Sequence, residues 1–106
     1  MDTLDDTLTA LADPTRRAIL ARLAEGEARV TELAAPFAIS LNSVSKHIKL
    51  LERAKLVRRR VAGREHFLSF DPAPLEAAEA WITGQRELWA WRLARLDALL
   101  DKGETR

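Results

Sequence analysis

The sequence predicts a mainly α domain interrupted once by a β-hairpin, and three observations carry that prediction. Apolar residues recur at helical spacing in Leu4, Leu8 and Leu11, again in Val44, Ile48 and Leu51, and over a long stretch from Leu75 to Leu100. Between Val57 and Phe70 the pattern changes from helical to alternating, with Gly63 near its centre. Pro14, Gly26 and Pro72 punctuate the boundaries. With 106 residues, 47% of them hydrophobic, residues 1–106 fit one small domain with a modest core.

The elements follow in order. The first helix ends near Asp13-Pro14, because proline disfavours a helical conformation in the residue before it. Asp13 then caps a second helix that has Pro14 at its first position. That helix buries Ile19, Leu20 and Leu23 and stops at Gly26, a left-handed terminator. Thr31 is expected to cap a short third helix, 32 to about 37, and a tight turn through Ala38 and Ile39 leads to a fourth over 40–51, capped by Ser40. Two short helices joined in this way make a helix-turn-helix. Val57, Arg59 and Val61 alternate with Arg58 and Arg60, Ala62-Gly63-Arg64 turn the chain, and His66, Leu68 and Phe70 alternate with Phe67 and Ser69. Asp71-Pro72 closes this hairpin, or wing, and opens a final helix over about 74–100. The expected fold is a winged helix-turn-helix: four helices, two strands and a fifth helix.

Formal net charge is only +1, but it is unevenly placed. Between residues 46 and 65, Lys46, Lys49, Arg53, Lys55, Arg58, Arg59, Arg60 and Arg64 face only Glu52 and Glu65, whereas Asp2, Asp5, Asp6 and Asp13 open the chain without a single cation. The asymmetry points to one polyanion-facing patch and an acidic opposite end. The fourth helix fits such a patch, since Asn42, Ser43, Ser45, Lys46 and Lys49 face outward when Val44, Ile48 and Leu51 face in. Asn can pair bidentately with adenine and Ser with either base type or backbone, so Ser40, Asn42, Ser43 and Ser45 are expected at double-stranded DNA. Lys46 and Lys49 are expected at phosphates, with affinity but little sequence information. His47, beside the buried edge, is a phosphate ligand or packs against the wing; His66 is read as structural. Arg64 at the wing tip suits the adjacent minor groove or its phosphates, joined by Arg60; Arg58 and Arg60 share one strand face and Arg59 the other. Arg16 and Arg17 touch phosphate or form salt bridges.

On the last helix, Leu75, Ala78, Trp81, Ile82, Leu88, Trp89, Leu93, Leu96, Leu99 and Leu100 occupy an arc of roughly 140° at 100° per residue. One edge of it can serve the domain's own core, and the rest would leave open an apolar patch that monomers seldom expose. A homodimer through the terminal helices follows, with Leu4, Leu8, Trp81, Leu88, Trp89 and Leu96 at its interface. A two-fold pair would set two recognition helices about one DNA turn apart, roughly 34 to 36 Å, as an inverted-repeat operator requires. Trp91 falls off the arc and is expected to pack beneath the first helix, or else to line a small effector pocket.

Other function classes find little support. There is no nucleophile with a base partner, no Gly-rich phosphate loop and no clustered catalytic carboxylates, so neither catalysis nor a cofactor is expected. Without cysteine the chain makes no disulfide, thiolate metal site or thiol redox sensor. No apolar run approaches the ~18 residues of a bilayer span, and the acidic start lacks a basic leader, so a cytoplasmic protein with no membrane partner is expected.

Leu11-Ala12-Asp13-Pro14-Thr15-Arg16-Arg17, Glu32-Leu33-Ala34-Ala35-Pro36-Phe37, the run from Val44 to Ala54 and the Gly63-Arg64 wing together resemble the ArsR-type winged helix-turn-helix repressors. The resemblance covers nearly the whole chain, and Trp81, Trp89, Arg92, Leu93 and Leu96 resemble the last helix of a branch that does not sense metals. It implies a dimeric bacterial transcriptional regulator, usually a repressor released by an effector. The thiol pair of the metal sensors falls at Arg29 and Thr31, neither a soft-metal ligand, and the last helix has no histidine for their other site. Metal sensing is therefore not expected, and no residue set names an effector. Lys55 stands where the family usually has a glycine of positive φ, and Asn42 where many relatives have proline. The alternative reading is a winged-helix module whose basic face docks on an acidic protein or RNA without reading DNA.

Overall fold

The computed structural model describes residues 3–104. Helices α1 (Thr3–Leu11) and α2 (Pro14–Leu23) are followed by a short strand β1 (Ala28–Arg29), then α3 (Val30–Ala34) and α4 (Leu41–Arg53). The wing is β2 (Val57–Ala62) with β3 (Glu65–Phe70), and α5 (Ala73–Glu104) completes the chain. The expected helices and hairpin are all present. The sheet gains a third strand: β1 pairs antiparallel with β3 through Ala28 opposite Leu68 and Arg29 opposite Phe67, giving the order β1-β3-β2. Two residues are too few to show alternation, so this strand left no mark in the sequence.

The helix boundaries have local causes. Asp13 Oδ2 accepts the Arg16 backbone N–H at 3.1 Å, capping α2 as expected, with Pro14 at its first position. Arg16 and Arg17 then reach back. Arg16 Nε and Nη2 donate to the carbonyls of Ala10 and Thr9 at 2.8 and 2.9 Å, and Arg17 Nη1 donates to that of Leu11 at 2.7 Å. The last turn of α1 thereby has its open carbonyls satisfied by cations, and both arginines act inside the protomer.

The third helix differs from expectation. Arg29, not Thr31, is its cap, because the chain enters α3 directly from β1, and Glu32 Oε1 accepts the Arg29 backbone N–H at 3.1 Å. It ends at Ala34, before Phe37, since Pro36 has no N–H to continue the ladder. The fourth helix runs two residues beyond expectation, to Arg53, and ends in a Schellman arrangement. Lys55 N donates to Glu52 O at 2.9 Å and Leu56 N to Leu51 O at 3.0 Å, with Lys55 at φ 61 in the left-handed region that glycine favours. Leu51 and Leu56, both fully buried, join across that turn to the core.

Ile19, Leu33, Val44, Ile48, Leu51, Leu56 and Leu68 form the centre of that core, where α2, α3, α4 and the sheet meet. Thr7 is buried on α1 beside α5, its hydroxyl donating to Thr3 O at 3.0 Å. Only the start of α5 joins this body, through Leu75 and Ala78 and by packing on α1. From residue 79 to residue 101 every position is exposed. The protomer is accordingly elongated, 76 × 26 × 25 Å, because a helix of 32 residues is about 48 Å long.

Candidate nucleic-acid interface

Ser40 and α4 make the front of the site. Ser40 Oγ accepts the Ser43 N–H at 3.1 Å and donates to Ser43 Oγ at 3.0 Å, so both hydroxyls are committed to the helix start with acceptor capacity left over. Asn42, Lys46 and Lys49 are exposed, and Ser43, Ser45 and His47 are half-buried. His47 directs its Nδ1 toward the start of α2, where Arg16 Nη1 donates to it at 3.1 Å and Asp13 Oδ2 stands 3.9 Å away. It packs against α2, not against the wing.

The wing closes on a two-residue turn, Gly63-Arg64, between the paired Ala62 and Glu65. Gly63 has φ 65 and Arg64 does not share a positive φ, the pattern of a II′ loop, which needs a residue without Cβ at its first position. Between the wing and α4 lies a cleft of about 380 Å³ bordered by Thr31, Leu41, Ser45, Arg59, Arg64 and His66. Leu41, 52% exposed at the first position of α4, was not picked out by sequence reasoning. It lies three residues before Val44 and so continues the apolar repeat of α4, yet unlike Val44, Ile48 and Leu51 it is not buried.

The arginine cluster resolves into two groups. Arg58 Nη2 meets Asp71 Oδ2 at 2.7 Å, and Arg59 grips both Glu52 oxygens at 2.8 and 3.2 Å and contacts His66 Nδ1 at 2.9 Å. Arg60 Nη2 meets Glu27 Oε1 at 2.6 Å, with its guanidinium 4.5 Å from the centre of the Phe67 ring. The hydrogen bond to Glu27 pushes the Arg60 guanidinium above its ordinary value, and the Ala73 N–H and then Arg58 hold the Asp71 carboxyl below the usual carboxylate range. Arg60, expected at DNA, is engaged inside the protomer. Lys46, Lys49 and Arg64 have no carboxylate partner among the described residues. The free charge therefore sits on the outer face of α4 and at the wing tip.

Arg29, at one of the two positions where the resemblance would put metal-sensing thiols, belongs to a charged network. Arg29 Nε bonds Glu32 at 3.0 Å and Nη1 bonds Glu65 at 3.1 Å, and the Arg29 side chain, then its backbone N–H, keep the Glu32 carboxyl below its usual range. Thr31 lies at the cleft.

Residues 11–60 match the model of a helix-turn-helix domain family. The chain is 40% identical over 97 residues to the HTH-type transcriptional regulator Rv2034 of Mycobacterium tuberculosis, covering 92% of this chain and 88% of that protein. A crystal structure of an ArsR family transcriptional regulator superposes with a TM-score of 0.80 at 45% identity, over 84% of this chain and 98% of the other. The chain belongs to the ArsR family of winged helix-turn-helix transcriptional regulators. It is thus similar to DNA-binding regulators and not to enzymes. The homodimeric winged helix-turn-helix DNA-binding domain of a possible ArsR-family regulator from Mycobacterium bovis also shares the fold, with a TM-score of 0.64 at 25% identity over 82% of each chain.

In this ArsR-family chain the long helix carries the expected dimer residues as an open stripe. Trp81, Leu88, Trp89 and Leu96 are exposed in the single protomer, Trp89 at 60%, while on α1 Leu8 is exposed and Leu4 half-buried. Leu4 and Trp81 border the same α1–α5 groove. Trp91 does not pack beneath α1: it is 56% exposed, with the Arg95 guanidinium 4.9 Å from its ring centre. Ten residues beyond Trp81, it lies about 15 Å further along the helix, past the part of α5 that borders α1. Among the described residues no helix is long and apolar enough to cross a membrane.

Proposed function

We propose that residues 1–106 act as one DNA-reading unit that pairs with a second copy through α1 and α5 and occupies an inverted-repeat operator as a repressor. The observation that carries the reading is the open apolar stripe on α5, Trp81 to Leu100, in the same chain as a polar-tipped α4 whose cations are unpaired. The homodimeric neighbour supports the pairing. Ser40, Asn42, Ser43 and Ser45 then meet base edges or backbone in successive major grooves, with Leu41 positioned for a thymine methyl. Lys46, Lys49 and Arg64 meet phosphates, and His47 donates to a phosphate flanking the groove. Arg60 adds to the contact only by leaving Glu27. A dimer lying along two turns of duplex excludes other proteins from it, which is repression by occupancy in the bacterial cytoplasm.

Selection of duplexes from a random pool, followed by titration of the enriched sequence against random competitor at several salt concentrations, tests this. Enrichment of a two-fold symmetric sequence is expected. Equal affinity for random DNA would leave the basic face as a docking surface for an acidic protein or RNA.

A further inference from the structure

Arg16 makes contacts that serve more than the end of a helix. Its guanidinium donates to Ala10 O and Thr9 O, the last turn of α1, and with its remaining nitrogen to Nδ1 of His47, midway along α4. One side chain therefore bridges a helix of the dimer stripe and the recognition helix. The third bond also settles the chemistry of the imidazole. Arginine can only donate, so Nδ1 must accept, and the neutral ring then carries its proton on Nε2. The His47 side chain retains 23% exposure, and Asp13 Oδ2, 3.9 Å from Nδ1, is too far to compete for that nitrogen.

We propose that Arg16 is a positioning residue for duplex binding, holding α4 against the end of α1 and fixing His47 in the tautomer that can donate through Nε2 to a backbone phosphate. This rests on the DNA-reading proposal above. Each of the three guanidinium nitrogens of Arg16 is engaged inside the protomer, and the residue acts through His47.

The test uses the full chain and a labelled duplex enriched from random sequence by the wild-type protein. Arg16→Gln and His47→Asn are each expected to weaken binding about 10-fold, and the double variant by scarcely more, because both remove one coupled unit. Nitrogen-15 spectra of the free protein provide a readout that general loss of stability would not produce. They should show an unprotonated Nδ1 in wild type and mixed tautomers in Arg16→Gln. Arg16→Lys, which keeps the charge, serves if the glutamine variant does not fold, and should also release the tautomer. Additive losses in the double variant, or a wild-type ring protonated on Nδ1, would overturn the proposal. If wild type enriches no duplex, the DNA reading fails, while the spectra still decide whether Arg16 sets the tautomer.

Discussion

Replacing Lys46 by Ala separates attraction to the duplex from reading of its sequence. Each phosphate neutralised on B-DNA contributes about 0.9 to the slope of log affinity against log salt. Of the cations without carboxylate partners among the described residues, Arg53 and Lys55 lie at the far end of α4 and three, Lys46, Lys49 and Arg64, lie on the face proposed for the duplex, whereas Arg58, Arg59 and Arg60 are held by Asp71, Glu52 and Glu27. A dimer would then neutralise about six phosphates, for a slope of about −5.4, and the Lys46→Ala dimer about four, for about −3.6. Between 50 and 200 mM salt, wild-type affinity should fall roughly 2,000-fold and that of the variant roughly 150-fold. Fluorescence anisotropy on an enriched duplex and on random DNA, over four salt concentrations, measures both slopes. Sequence preference should survive if Lys46 meets a phosphate, as proposed above. An unchanged slope with lost preference would place Lys46 at a base edge. A wild-type slope of about −11 would indicate that the three strand arginines release their carboxylates on binding.

Three further outcomes are expected. Trp89→Asp puts a charge into the α5 stripe and should sediment as a monomer with weakened duplex binding; an unchanged dimer would move the interface elsewhere. Lys55→Gly relieves a left-handed non-glycine residue at the end of α4 and should raise stability by about 1 kcal/mol, partly offset by the greater unfolded freedom of glycine, for a rise of a few degrees in Tm by calorimetry. Asp13, Glu32 and Asp71 have folded-state pKa values below their ordinary ones, from the Arg16 N–H, the Arg29 side chain and the Ala73 N–H respectively. Their contribution is complete above the ordinary carboxylate range and is lost as pH falls through the folded values, where the unfolded chain binds more protons. Thermal midpoints should therefore drop below about pH 4, and Asp71→Asn should make that drop shallower.

Where the sequence misled, the reason was usually a partner distant along the chain. Arg16 and Arg17 are an exception: expected at phosphates or in salt bridges, they bond carbonyls only six or seven residues back, brought within reach by the turn at Asp13-Pro14. Arg60 was expected to contact DNA beside Arg64. Strand alternation already separated Arg59 from the other two, but Glu27 and Asp71 lie on other elements and their pairing exists only once the sheet is formed. Strand β1 is paired through β3, 40 residues away at Ala28 and Leu68, and has no local signal of its own. Trp91 was expected to pack beneath α1 because a tryptophan off the apolar arc seemed to need cover. The length of α5 carries it beyond α1, and Arg95, one turn further on, covers part of its ring instead.

Local chemistry by itself determined most of the architecture: Asp13-Pro14 and Ser40 start helices, Gly63 turns the wing, and Val44, Ile48 and Leu51 fix which side of α4 looks outward. These follow from backbone sterics and the 3.6-residue period, which act over a few neighbours. Tertiary structure alone decided which charges remain free to meet a polyanion and which helices Arg16 ties together. Ion pairing and packing join residues that are far apart along the chain and become neighbours only after it has folded.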